Sequence, residues 1–293
     1  MEEEQFEHEE PCDEPLETAA PPTLLKALNH IMGPVLDREH GSLLYNVTNC
    51  RNIDPGAVLL FWYAFELAKR RGRRARIFGR GELIAELAEH FSHYRGDQPD
   101  DASTTSRGLY PLRSIQNEES MLAELDEWSR SVQEGTTASP EQVALWQMQI
   151  AEVTTNAFQH GPMHKKRETM PASIVAGKAS GQCAQLAALD FGSTIPRVIC
   201  EVASKHGISG GDDSLIEFAC GKGITSRSVR QNQGAGLYSL VQTVHENGGT
   251  LQILSRNGLV HFCSGQVYGE CLPCRHDGAP ALDGTLTVIN LRI

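Results

Sequence analysis

The stretch from Ser139 to Pro162 constrains the fold more than any other, because it has a start, a stop and two unlike faces. Ser139-Pro140-Glu141-Gln142 begins a helix, with serine at the N-cap, proline at the first helical position and glutamine placed to return a hydrogen bond to the cap. Gly161-Pro162 ends it. Between them Trp146, Ile150, Val153 and Ala157 recur at helical spacing, as a core-facing stripe should. Glu152, Asn156 and His160 follow at four-residue intervals on a neighbouring face. With about 3.6 residues per turn they form a nearly continuous polar stripe. Such a stripe is either a solvated face or a carboxylate and amide suited to a hydrated metal ion, and the helix alone does not choose between them.

Two strand-like runs follow, Ala172–Ala176 and Cys183–Leu189, the second ending in Asp190-Phe-Gly192-Ser-Thr194-Ile-Pro196. An aspartate at a strand end, followed by a glycine that admits a flat ring to the backbone, can accept a hydrogen bond from an exocyclic amine. It can equally be an ordinary Asp-x-Gly turn. Gly234-Ala-Gly236-Leu237 then opens a helix whose apolar face is Leu237, Leu240, Val241 and Val244. Backbone N–H groups at such a helix start favour phosphate oxygens. Lys222, Arg227 and Arg230 lie just upstream on a glycine-punctuated segment able to close over phosphates. The chain finishes with two alternating strands, Gly249–Ser255 and Gly284–Ile293, the second carrying Thr285. Residues 139–293 therefore read as α+β, a mixed sheet with helices on one face.

The first block, residues 22–95, reads as strand, helix, strand, helix. Gly41–Val47 has strand character, and Asp54-Pro55-Gly56 starts a helix with aspartate as N-cap. That helix, Ala57–Arg71, is apolar almost all round its first two turns and stops at Gly72. Arg74–Phe78 is the next strand and Glu82–Phe91 the next helix. The basic cluster from Lys69 to Arg76 reads as a solvated helix end rather than a nucleic-acid patch, because no aromatic residues interleave with the charges. Residues 96–138 are rich in Asp, Ser, Thr, Gly and Pro, broken by a helix at Glu118–Val132, and read either as an inserted helix or as a connector.

The net charge is −11, much of it in the opening MEEEQFEHEEPCDEPLE, which has no Lys or Arg. Residues 1–21 are accordingly expected to be a disordered acidic tail. The remainder is close to balanced, so composition implies no general attraction to nucleic acid. An acidic N-terminus does not look like a signal peptide, and the longest apolar run, Ala57–Phe65, is about half the length that spans a bilayer. A cytoplasmic protein with reduced cysteines and no membrane contact is expected. His261, Cys263, Cys271, Cys274 and His276 fall close together. A zinc site at Cys263/Cys271/Cys274/His276 and a plain cysteine-containing loop are both open.

The first block resembles a STAS domain in its strand, the turn Asn52-Ile53-Asp54-Pro55-Gly56, the long helix and the second strand after Gly72. Pro55 and Gly56 stand where phosphorylated members carry Ser or Thr, which implies a docking or structural module without that switch. Residues 139–293 resemble the GHKL ATPases, with the histidine-kinase and anti-sigma-factor branch nearest in its Glu-x-x-x-Asn-Ala-x-x-His-Gly helix. The resemblance implies a two-layer α+β sandwich binding ATP and Mg²⁺. By it Asn156 ligates Mg²⁺ and Glu152 is the catalytic base. Asp190 takes the adenine amine, Gly192 gives room and Thr285 assists through water. Gly234, Gly236 and the start of the helix at Leu237 cradle phosphates, and Lys222 to Arg230, with Arg227, form a lid. Thr194 replaces the family's second glycine and belongs to the same binding loop. The implied function is an ATP-controlled regulator of a protein partner, by slow hydrolysis or by Ser/Thr phosphoryl transfer, with a homodimer also open. The alternative is a non-catalytic scaffold that keeps the fold.

Overall fold

The computed structural model of the protein describes residues 6–11, 23–37, 42–48, 50, 52–80, 82–95, 108–159, 171–225, 236–263, 265–272 and 282–293. The chain forms two compact units, Met1–Ser106 and Arg107–Ile293. Helices and sheets are present in both.

In the N-terminal unit three strands, β1 (Phe6–Pro11), β2 (Ser42–Asn46) and β3 (Ala75–Phe78), pair in parallel in the order β1-β2-β3. Helices α1 (Thr23–Asp37), α2 (Pro55–Arg70) and α3 (Glu82–Arg95) complete it. The expected start of α2 is present: the Ala57 amide donates to the Asp54 carboxylate at 2.9 Å, and Pro55 takes the first helical position. Its expected stop is present too, with Gly72 at φ +68° in the left-handed region that glycine adopts without penalty. Every residue of α2 from Pro55 to Ala64 is buried, as its all-round apolar sequence requires. Tyr45 on β2 stacks edge-on to Phe61 of α2 at 5.3 Å and donates its hydroxyl to Ile31 O of α1 at 2.7 Å. Each fully buried Ile, Leu or Phe here contributes roughly 1.5–3 kcal/mol.

Two expectations for this unit change. Residues 6–11, assigned to a disordered acidic tail, form β1 and run beside β2 with Glu9 opposite Leu44 and Glu10 opposite Tyr45. Strand pairing uses main-chain N–H and C=O groups, which glutamate supplies as well as valine does, and β2 offers an edge that needs partners. Within the basic cluster, Arg71 and Arg73 both donate to Val35 O near the end of α1, at 2.6 and 3.5 Å. Those two guanidinium groups share one carbonyl in the last turn of a helix.

The C-terminal unit holds a seven-stranded sheet in the order β4-β5-β6-β10-β7-β8-β9. The strands are β4 (Leu109–Ile115), β5 (Ser173–Ser180), β6 (Cys183–Asp190), β7 (Thr250–Arg256), β8 (Gly258–Cys263), β9 (Gln266–Cys271) and β10 (Leu282–Arg292). All neighbouring pairs are antiparallel, which corrects the expected mixed sheet. Tight connections join β5 to β6, β7 to β8 and β8 to β9; β6 and β7 run parallel to each other through a helical crossover, and β10 inserts between them antiparallel to both.

Residues 96–138, read as a connector or inserted helix, contribute β4 and α4 (Glu118–Gly135) to this unit. Pro111 lies in β4, where the pairing with β5 shifts register between Tyr110 and Arg113. A proline without an N–H is tolerated there because β4 is an edge strand. Helices α5 (Pro140–Gln159), α6 (Ile195–Lys205), α7 (Asp212–Ala219) and α8 (Gly236–Glu246) follow. The reciprocal cap of α5 is formed, Gln142 N to Ser139 Oγ at 3.2 Å and Ser139 N to Gln142 Oε1 at 3.0 Å.

One core joins Trp128 of α4, Trp146 and Ile150 of α5, Ile216 of α7 and Leu240 of α8 to Val175, Leu186, Ile289, Ile253 and Val260 of the sheet. Gly177 on β5 lets Trp128 lie against the sheet, since a Cβ there would stand 3.0 Å from the indole ring. The opposite sheet face, with Ile174, Leu189, Leu286 and Leu254, is also buried.

Candidate functional site

One rung of the antiparallel sheet carries polar residues where every neighbouring rung is largely apolar. Ser173 on β5 is opposite Asp190 on β6, Asp190 is opposite Thr285 on β10, and Thr285 is opposite Ser255 on β7. Side chains alternate along a strand, so these four share the helix-facing side with Val175, Ala188, Thr287 and Ile253 of the next rung on that face. The sheet thus brings together two residues nearly a hundred positions apart in sequence, Asp190 and Thr285, that the sequence had paired only by resemblance.

The hydrogen bonds around this rung define its local geometry. The Gly192 amide donates to Asp190 Oδ1 at 3.0 Å, so the Asp-x-Gly segment does make the turn its sequence suggested. Gly284, next to Thr285, has no room for a side chain: a Cβ would meet Asp190 O at 2.1 Å. That close approach seats β10 against the end of β6. Ser255 Oγ lies 2.9 Å from Thr285 Oγ1, accepts from Ile195 N at 3.1 Å and is 3.2 Å from Gly284 O. Ser255 and Thr285 are both buried, whereas Asp190 is half-buried and Gly192 partly open.

Two buried hydroxyls here make no hydrogen bond. Ser173 Oγ, beside Asp190, and Thr194 Oγ1, at the start of α6, are both solvent-inaccessible and without a partner. A buried polar group left unpaired costs about 1–3 kcal/mol. Thr194 is the N-cap of α6 yet makes no side-chain cap bond.

The other expected residues are placed as follows. Glu152 and Asn156 lie on α5, which packs against α4, α8 and β6, the strand that ends in Asp190. Gly236 is the first residue of α8, and Leu237 packs on the core from its first turn. Lys222 is exposed after α7. Arg227, Arg230 and Gly234 lie outside the described residues, as do His160 and Gly161. Ser173 and Ser255 were not singled out from the sequence. Their signal was phase: each stands two residues from a core residue of its own strand, Val175 and Ile253, on the same face.

The zinc grouping does not survive the register. Cys263 is opposite Gln266 and Cys271 opposite Gly258, at the two ends of the β8–β9 hairpin. Five residues of strand separate those ends, roughly 17 Å at about 3.4 Å per residue, whereas thiolates on one zinc each sit about 2.3 Å from it. Cys263 and Cys271 therefore cannot share an ion, and Cys274 and His276 lie outside the described residues. Among the described residues no group of three or more His, Cys, Asp or Glu could hold a metal ion. No helix among them is long and apolar enough to cross a membrane.

No protein-family model matches the chain, and a search of curated proteins returns no match.

Proposed function

We propose that the C-terminal unit is a GHKL-type ATP-binding domain and that the protein is an ATP-controlled regulator of a protein partner. The observation that carries this reading is the in-register pairing of Asp190 with Thr285, beside Gly192, on a sheet whose strand β6 packs against α5, the helix bearing Glu152 and Asn156. The donor set suits an adenine edge. Asp190 offers an acceptor to the exocyclic amine, Thr285 a hydroxyl to the ring side, and Gly192 no side chain to obstruct the plane. The hydroxyls of Ser173 and Thr194 lie at the same end of the sheet and add polar groups to it.

Mg-ATP bound there would supply an activated phosphoryl group. By the resemblance Asn156 would hold the metal, and backbone amides at the start of α8, at Gly236, would meet phosphate, with Gly234 outside the described residues. By the same resemblance the Lys222 and Arg227 cations would meet the phosphates; Arg227 lies outside the described residues. Glu152 accepts the proton of the attacking water or of a partner's Ser/Thr hydroxyl. The N-terminal unit, STAS-like in its strand–helix order, serves as the docking module, and the protein acts in the cytoplasm.

The rival is a scaffold without catalysis. Phosphate release and partner phosphorylation, measured for wild type and Glu152→Ala, separate the two: turnover that Glu152→Ala abolishes supports the enzyme, and none in wild type supports the scaffold. Titration with Mg-ATP tests the binding reading itself, which fails if wild type does not bind.

A further inference from the structure

We infer that Ser255 is a positioning residue for the nucleotide base: its hydroxyl aims the Thr285 hydroxyl at the ligand and ties the Asp190–Thr194 loop to β10. The inference rests on the adenine-binding reading of this rung and adds to it a residue from a third strand.

A serine hydroxyl has one proton and two lone pairs. At Ser255 one lone pair takes the Ile195 N–H at 3.1 Å, fixing the first residue of α6 and with it the end of the loop that begins at Asp190. Two acceptors compete for the single Ser255 proton, Gly284 O at 3.2 Å and Thr285 Oγ1 at 2.9 Å. Donation to Gly284 O makes Thr285 donate back to Ser255, and Thr285 then faces a ligand with lone pairs only. Donation to Thr285 Oγ1 releases the Thr285 proton for a ligand.

The first arrangement satisfies all three contacts at once, because Ser255 then donates to Gly284 O and accepts from both Ile195 N and Thr285 Oγ1. Thr285 is then held with its lone pairs free to accept from a ligand donor such as an exocyclic amine. Ser255 thus makes Thr285 an acceptor. Burial keeps solvent from competing for these protons, since Ser255 is 0% exposed and Thr285 5%.

Ser255 also needs explaining on its own terms. At the core-facing end of β7, next in phase after Leu251 and Ile253, a purely structural position would carry another aliphatic residue. A serine satisfied by three groups from α6 and β10 instead joins both walls of the candidate base site.

A double-mutant cycle on the full chain tests this, with Mg-ATP as the probe in isothermal titration and thermal melting as a check on folding. Thr285→Val is expected to weaken ATP binding about tenfold, Ser255→Ala by a similar factor, and the double variant by no more than either alone. Where Ser255→Ala melts below the assay temperature, Ser255→Cys is read instead, since it keeps the volume and donates only weakly. Undiminished ATP affinity in the Ser255 variant while Thr285→Val is impaired would overturn the role of Ser255 and leave the binding reading intact. Multiplicative losses in the double variant would also overturn it, by showing that Ser255 acts independently of Thr285. Absence of ATP binding by wild type would remove both.

Discussion

Ser255 and Thr285 sit opposite each other on β7 and β10 with their hydroxyl oxygens 2.9 Å apart, at the rung where the apolar core gives way to Asp190. Three strands therefore converge on one polar position, and the chemistry proposed for it depends on groups brought together by sheet topology alone.

Glu152 is expected to matter for turnover and not for binding. Glu152→Ala should leave Mg-ATP affinity within about threefold of wild type while phosphate release falls at least a hundredfold, the scale of a lost general base. A variant that hydrolyses as fast as wild type would remove Glu152 from the chemistry.

Trp146 is completely buried where α5 meets the core of the C-terminal unit. Trp146→Ala should cost about 3–5 kcal/mol, read from urea unfolding of the full chain followed by a probe of that unit. A loss below about 1 kcal/mol would mean that α5 is not anchored there.

Asp54 caps α2 through the Ala57 amide and is itself buried. Asp54→Ala should destabilise the N-terminal unit by about 0.5–2 kcal/mol, and Asp54→Asn by less, because an amide oxygen also accepts that bond. Equal losses in the two variants would point away from capping.

His261 is held neutral in the fold, its pKa pushed down to about 4 by burial. An unfolded histidine titrates near 6.5, so between about pH 4 and 6.5 the unfolded chain binds the extra proton and the folded chain does not. His261 therefore weighs against folding as pH falls through that window, and stability is recovered as pH rises to about 6.5. The pH dependence of urea midpoints should flatten over this window in His261→Leu relative to wild type. Parallel curves for the two proteins would contradict this placement of His261.

Much of the architecture was legible because local signals agreed with each other. Asp54-Pro55 and Gly72 bracket α2, and Ser139-Pro140 with Gln142 opens α5 through hydrogen bonds that the structure contains. What escaped the sequence depended on pairing at a distance. β1 is made of residues with little to bury and is held by the main-chain edge of β2. β4 hides behind Pro111, which only an edge position permits. The β8–β9 hairpin contains the cysteines that suggested a metal loop, and its register pulls Cys263 and Cys271 apart. At the candidate site, Asp190, Gly192 and Thr285 could be named from short motifs. Ser173 and Ser255 could not, because nothing in their own strands says which residue will stand opposite.

The most direct measurement is isothermal titration of the full chain with Mg-ATP, for wild type and Asp190→Asn side by side. Saturable binding by wild type, weakened at least tenfold when the Asp190 carboxylate becomes an amide, is the expected result. No binding by wild type, or equal binding by the two proteins, would contradict the assignment of Asp190 and Thr285 as the adenine-facing pair.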